Sequence, residues 1–102
     1  MTILHTVNKS PFERNSLEAC VRLAKKGSSV LMFEDGVYGA MKGTSKSDMV
    51  TSAMKDLTFY VLGPDLKARG VDEGKLIDGV KVVDYNGFVN LTVENDKAQA
   101  WL

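Results

Sequence analysis

Four short apolar runs, at residues 3–7, 29–33, 58–62 and 80–83, are separated by segments whose apolar residues recur at helical spacing. The runs are continuously apolar or β-branched rather than alternating, the pattern of strands covered on both faces. Strand followed by helix, repeated, points to an α/β fold. The expected arrangement is a three-layer α/β/α sandwich with a mainly parallel sheet of four or five strands. At 102 residues the chain reads as a single domain, 1–102. That length can enclose a modest core without a disulfide or a structural metal.

The connecting segments carry start and stop signals. Ser10-Pro11-Phe12-Glu13 fits a capping box with proline at the first helical position, and Asn15-Ser16 offers a second start. Gly27 is the natural stop, with Lys25 and Lys26 placed to meet the negative end of the helix dipole. Leu17, Val21 and Ala24 form an apolar stripe flanked by Cys20 and Leu23, and Glu18 stands four residues before Arg22 as a favourable pair. Val37, Ala40 and Met41 suggest a short helix after the second strand. Gly43-Thr44-Ser45 restarts a helix through Met49, Val50, Ala53 and Met54. Gly63-Pro64-Asp65 opens another short helix that ends at Gly70. Residues 71–79 are polar and less regular. Asp84 is placed to cap a helix containing Phe88, Val89 and Leu91.

Composition narrows the function classes. Thirteen basic and thirteen acidic side chains give zero formal charge, so the chain lacks the basic excess that direct nucleic-acid binding requires. The same neutrality leaves the isolated chain free to form a homo-oligomer, since no net repulsion keeps copies apart. No apolar stretch approaches the ~20 residues that span a bilayer, and residues 1–6 do not resemble a secretion signal. With a single thiol, these features lead to the expectation of a cytoplasmic protein without a membrane partner.

Cys20 is the one cysteine. Alone it can form neither an internal disulfide nor a thiolate metal cage, so it is either a small buried hydrophobe or a sulfur that works with sulfur on another protein. Its place beside the apolar stripe favours the first reading. Asp35, Asp65 and Asp84 each follow an expected strand, where open parallel sheets bind ligands, so a small-ligand or flavin enzyme is one reading of them. Capping of the next helix explains each separately. His5, the one histidine, has no second histidine or cysteine near it in sequence, which makes it a core or interface residue. Ser10 reads as a cap, and Lys67 with Arg69 as a basic spot that is solvated or paired with Asp65. Trp101 must dock on something or stand exposed. No glycine-rich phosphate turn follows a strand, so no nucleotide cofactor is expected; with one cysteine and one histidine apart in sequence, no metal is expected either.

Several segments together resemble the DsrH/TusB family. They are Ile3-Leu4-His5-Thr6-Val7-Asn8-Lys9-Ser10-Pro11, Phe33-Glu34-Asp35-Gly36-Val37-Tyr38, and Tyr60-Val61-Leu62-Gly63-Pro64-Asp65-Leu66-Lys67-Ala68-Arg69-Gly70. Val83-Asp84-Tyr85 with Phe88-Val89 and the closing Ala100-Trp101 complete the set. The similarity runs in order over nearly the whole chain. It implies a DsrE/F/H-like fold and a subunit of a sulfur-relay, persulfide sulfurtransferase complex. The implied partners are DsrE/TusD-like and DsrF/TusC-like paralogues, assembled as a dimer of heterotrimers, a heterohexamer, with a DsrC/TusE-like sulfur acceptor. The pathway would be sulfur oxidation or 2-thiolation of the wobble uridine in tRNA. The resemblance places the main persulfide cysteine on the DsrE/TusD-like subunit and makes this chain a non-catalytic subunit. It leaves Cys20 as a candidate auxiliary sulfur carrier, a feature that leans the chain toward the DsrH side. The alternative is a purely structural interaction subunit with a buried, inert Cys20.

Overall fold

The computed structural model describes residues 2–102; Met1, the first residue of the expected domain, lies outside them. Five strands, β1 (Ile3–Val7), β2 (Ser29–Met32), β3 (Thr58–Leu62), β4 (Lys81–Val83) and β5 (Lys97–Trp101), form one sheet in the order β4-β3-β2-β1-β5. Every neighbouring pair is parallel. The helices are α1 (Ser16–Leu23), α2 (Ser47–Ala53), α3 (Gly63–Ala68) and α4 (Tyr85–Glu94), with 3-10 segments at Glu34–Ala40 and Glu73–Lys75.

The strand order explains the layers. The chain steps from β1 outward to β4, then returns across the sheet to place β5 on the far side of β1. Right-handed crossovers therefore put the first connections on one face and α4 alone on the other. The larger core lies on the first face, where Val7, Val30, Met32, Phe59 and Val61 pack against Leu17, Cys20, Val37, Val50 and Leu66. On the second face Leu4 and Leu31 pack with Leu91, joined by Tyr60, Val83 and Phe88.

The fifth strand escapes the hydrophobic pattern because it is an edge. Ala98, Gln99 and Ala100 are exposed, and only Trp101 is half-buried. Backbone pairing to β1 makes it a strand, with register Leu4↔Ala98 and Val7↔Trp101. Its entry is fixed by the Thr2 amide, which donates to the Asp96 carboxylate at 2.9 Å, and by the Asp96 amide, which donates to the Thr2 carbonyl at 3.0 Å.

The first helix begins at its second start signal. Residues 11–13 form a turn in which the Glu13 and Arg14 amides donate to the Ser10 carbonyl at 3.1 and 3.0 Å. The Ser10 hydroxyl accepts from the Phe12 amide, so Ser10 does hold a turn, but Glu13 completes no capping box. The helix ends at Leu23, before Gly27, because Ala24 is already extended. Gly27 sits at φ +92° in the following turn, where its amide donates to the Asp56 carbonyl at 2.7 Å. Lys25 and Lys26 consequently lie beyond the helix. Leu23, read as a flank of the buried stripe, is exposed.

Candidate functional site

Cys20 is wholly buried, at 0% exposure, on the inner face of α1 with Leu17. Two turns of helix carry both side chains into the core beneath the 3-10 segment. Gly39 in that segment lies so close that an added Cβ would stand 2.6 Å from Leu17 Cδ2. Burial in this apolar setting pushes the thiol up to about 12. Desolvation is the cause, and Cys20, the fifth residue of its helix, lies too far in for the positive end of the helix dipole to oppose it.

The carboxyl ends of β1, β2 and β3 meet in a polar clasp. Asn8 follows β1, and its side-chain amide donates to Glu34 Oε1 at 3.3 Å. Glu34 follows β2 in the left-handed region, at φ +49°, a conformation that costs a non-glycine residue about 1 kcal/mol. Asp65, in the first turn of α3, holds that residue by accepting its backbone amide at 2.6 Å. Arg69 reaches back from the end of α3 and donates through Nε to Asp35 at 3.0 Å. Arg69, expected to be solvated or paired with Asp65, instead pairs with Asp35. Nothing in the local pattern marks the strand-end Asn8 or the turn residue Glu34 as partners. The signal available was Glu34-Asp35-Gly36, a polar turn ending in a glycine.

The three strand-end aspartates do not converge. Asp35 pairs with Arg69, Asp65 with the Glu34 amide, and Asp84 caps α4 by accepting the Gly87 amide at 2.8 Å. Each carboxylate thus has a local structural task. Among the described residues no three His, Cys, Asp or Glu side chains cluster as metal ligands would. A cleft of about 540 Å³ runs along α3, lined by Leu66, Lys67, Val71, Asp72 and Glu73 among others. Neither Cys20 nor His5 reaches it.

His5 and Trp101 tie the edge strand to the sheet. The Trp101 indole Nε1–H donates to His5 Nδ1 at 3.0 Å, with ring centroids 6.0 Å apart. His5 is 3% exposed, and its Nε2 is buried without a hydrogen-bond partner. Accepting from the indole requires the neutral ring with its proton on Nε2, and burial pushes the imidazole below its ordinary value. Between that lowered value and about 6.5 the unfolded chain binds a proton that the native chain refuses, so stability rises with pH through this window. Acidification below pH ~6.5 is therefore expected to destabilise the protein, with a slope from His5 of at most about 1.4 kcal/mol per pH unit. Urea unfolding from pH 5 to 8, followed by Trp101 fluorescence, should show this slope, and His5→Leu should flatten it. An equal slope in both proteins would exclude His5 as its source.

The comparisons agree with this architecture. The chain matches the family model described as "DsrH like protein" over residues 9–98. It is 36% identical over 100 residues to a protein named TusB from Pectobacterium parmentieri, covering 97% of this chain and all of that one. It is 33% identical over 99 residues to Protein TusB of Escherichia coli strain K12, with the same coverage. Among solved structures, the ychN protein from E. coli superposes with a TM-score of 0.82 over 98% of both chains at 19% identity. A Methanobacterium thermoautotrophicum protein of unknown function, MTH1491, gives 0.75 over 97% of both at 18% identity. At such identities the structural likenesses bear on the fold alone. The family model and the full-length relatives bear on descent, and on them the chain belongs to the DsrH/TusB family.

Proposed function

We propose that this chain is a non-catalytic subunit of a cytoplasmic sulfur-relay complex, acting in the branch that 2-thiolates the wobble uridine of tRNA. The observation that carries this reading is the end-to-end relation to proteins named TusB. In this role the chain assembles with DsrE/TusD-like and DsrF/TusC-like paralogues into a heterohexamer. The persulfide moves on the paralogues to a DsrC/TusE-like acceptor. Cys20 is a packing residue rather than an auxiliary carrier. A thiol pushed up to about 12 is ionised in only about one molecule in 10⁵ at pH 7, and the thiolate is the form that attacks sulfur. The polar clasp supports the same reading, because its carboxylates are engaged with one another's loops rather than with an open crevice.

Deletion of the gene, followed by mass spectrometry of tRNA nucleosides, tests the branch. The 2-thiouridine signal should fall and return with either the wild-type gene or Cys20→Ala. An undiminished signal after deletion would remove the chain from tRNA thiolation. Loss of rescue by a correctly folded Cys20→Ala would return Cys20 to the relay. In vitro, an aromatic disulfide reagent should label native Cys20 on the order of 10² times more slowly than the unfolded chain, because labelling requires local opening of α1. Equal rates in folded and unfolded protein would contradict the packing role.

A further inference from the structure

The last strand, β5, is held unequally at its two ends. At its start the Thr2 amide donates to the Asp96 carboxylate at 2.9 Å, and the Asp96 amide donates to the Thr2 carbonyl at 3.0 Å. Along its length backbone pairing to β1 holds it, since Lys97, Ala98, Gln99 and Ala100 are all exposed. At the far end one side chain, Trp101, packs against the main core, and its indole N–H donates to His5 Nδ1 at 3.0 Å. Leu102 beyond it is exposed. The strand is thus a strap, hinged at Asp96 and fastened at Trp101.

The fastener works in one protonation state of His5. The Trp101 indole can only donate, so Nδ1 must offer its lone pair and the ring proton must sit on Nε2. That Nε2 is buried without a partner. The bond is therefore made at the cost of a buried donor without an acceptor, which offsets much of what it contributes. A second proton on the ring breaks it. Both nitrogens become donors, two N–H groups would face each other across the former hydrogen bond, and a charge would be buried.

The surroundings of His5 do not compensate that charge. Its register neighbours are Val30 of β2 and Gln99 of β5. The helix packed on β1 and β5 is α1, which turns Ser16, Leu17 and Cys20 inward, and the Cys20 thiol stays neutral. Glu18 and Arg22 of that helix are exposed. Lys97, two residues before Gln99, falls on the same face of the sheet as His5 and adds a like charge.

We propose that β5 is a proton-sensitive strap: protonation of His5 frees Trp101, and residues 97–102 peel from β1 while the rest of the sheet stays folded. Release bares the outer edge of β1, whose backbone N–H and C=O groups are then unpaired. It also uncovers the end of the main core at Val7, which stands opposite Trp101. This is a local opening of one edge, separate from loss of the whole fold. Burial holds the closed-state ring below its ordinary value, and release returns it toward ~6.5. Below that pH, release takes up a proton, so opening increases as pH falls, by at most about tenfold per pH unit, and levels off below the closed-state value. The strap does not depend on the sulfur-relay reading.

Hydrogen exchange of the full chain, resolved by segment and expressed as protection over the intrinsic rate, tests it. Between about pH 7.5 and about pH 5, protection of residues 97–101 should fall on the order of tenfold, while that of β2 and β3 falls far less. His5→Asn keeps an acceptor near the Nδ1 position and does not titrate, so its strap should be equally protected at both values. Trp101→Phe keeps a ring in the core without the donor. Its strap should be less protected at the higher pH and should lose less on acidification. Protection of 97–101 that is indifferent to pH, or that falls in step with β2 and β3, overturns the proposal. So does a full acid-induced fall retained in either variant.

Discussion

Gly36→Ala is expected to cost about 3 kcal/mol or more, the upper end for an added methyl group in a packed interior. A Cβ at this position would overlap the Val7 carbonyl oxygen and stand 2.9 Å from the Val7 carbonyl carbon. Both are backbone atoms of β1, and the same carbonyl accepts the Phe33 amide at 3.1 Å, so the strand cannot move aside without losing that hydrogen bond. The glycine is needed for close approach of the turn after β2 to the end of β1, not for a left-handed φ. Chemical unfolding of the variant should show a midpoint shift at unchanged denaturant slope. A loss below about 1 kcal/mol would mean that the turn and the strand end are free to separate. Since the clasp of Asn8, Glu34 and Asp65 is built on that approach, the variant should also loosen the loops at the carboxyl ends of the strands.

Phe59→Ala should be comparably damaging. Phe59 lies on β3, opposite Val30 of β2, among the largest wholly buried side chains of the main core. Truncating such a ring costs about 3–5 kcal/mol, because the surrounding side chains refill the space only in part. A chain of this size has a total stability of roughly 5–15 kcal/mol, so the loss is a large fraction of the whole. Thermal denaturation should show a fall of more than about 15 °C in the midpoint. A shift of only a few degrees would indicate that α2 and α3 collapse into the cavity.

These two positions show different degrees of legibility. Phe59 could be read as core directly, because it lies in a continuously apolar run bounded by turn residues. Gly36 could be read as a turn residue, but its contact with Val7 joins residues far apart in the chain. The same contrast holds at the candidate site. The apolar stripe of α1 placed Cys20 at the core boundary, and the structure buries it completely, which is what pushes its thiol up. The pairing of Arg69 with Asp35 rather than Asp65, and the Glu34 amide bond that occupies Asp65 instead, depend on how two loops meet.

By itself the sequence determined the strand–helix alternation, the parallel α/β class, the glycine and proline turns, the Asp84 cap and the family. All of these rest on local periodicity, local hydrogen bonding or shared pattern. Only the tertiary structure decided the strand order, the existence of β5 and the docking of Trp101 on His5. An edge strand of small and polar residues carries no hydrophobic signal of its own. It exists because the backbone of β1 has donors and acceptors to satisfy on its free side. The start of α1 at Ser16 was likewise not settled by local capping: Asn15 makes no side-chain cap hydrogen bond, and the Ser10 hydroxyl holds only the preceding turn.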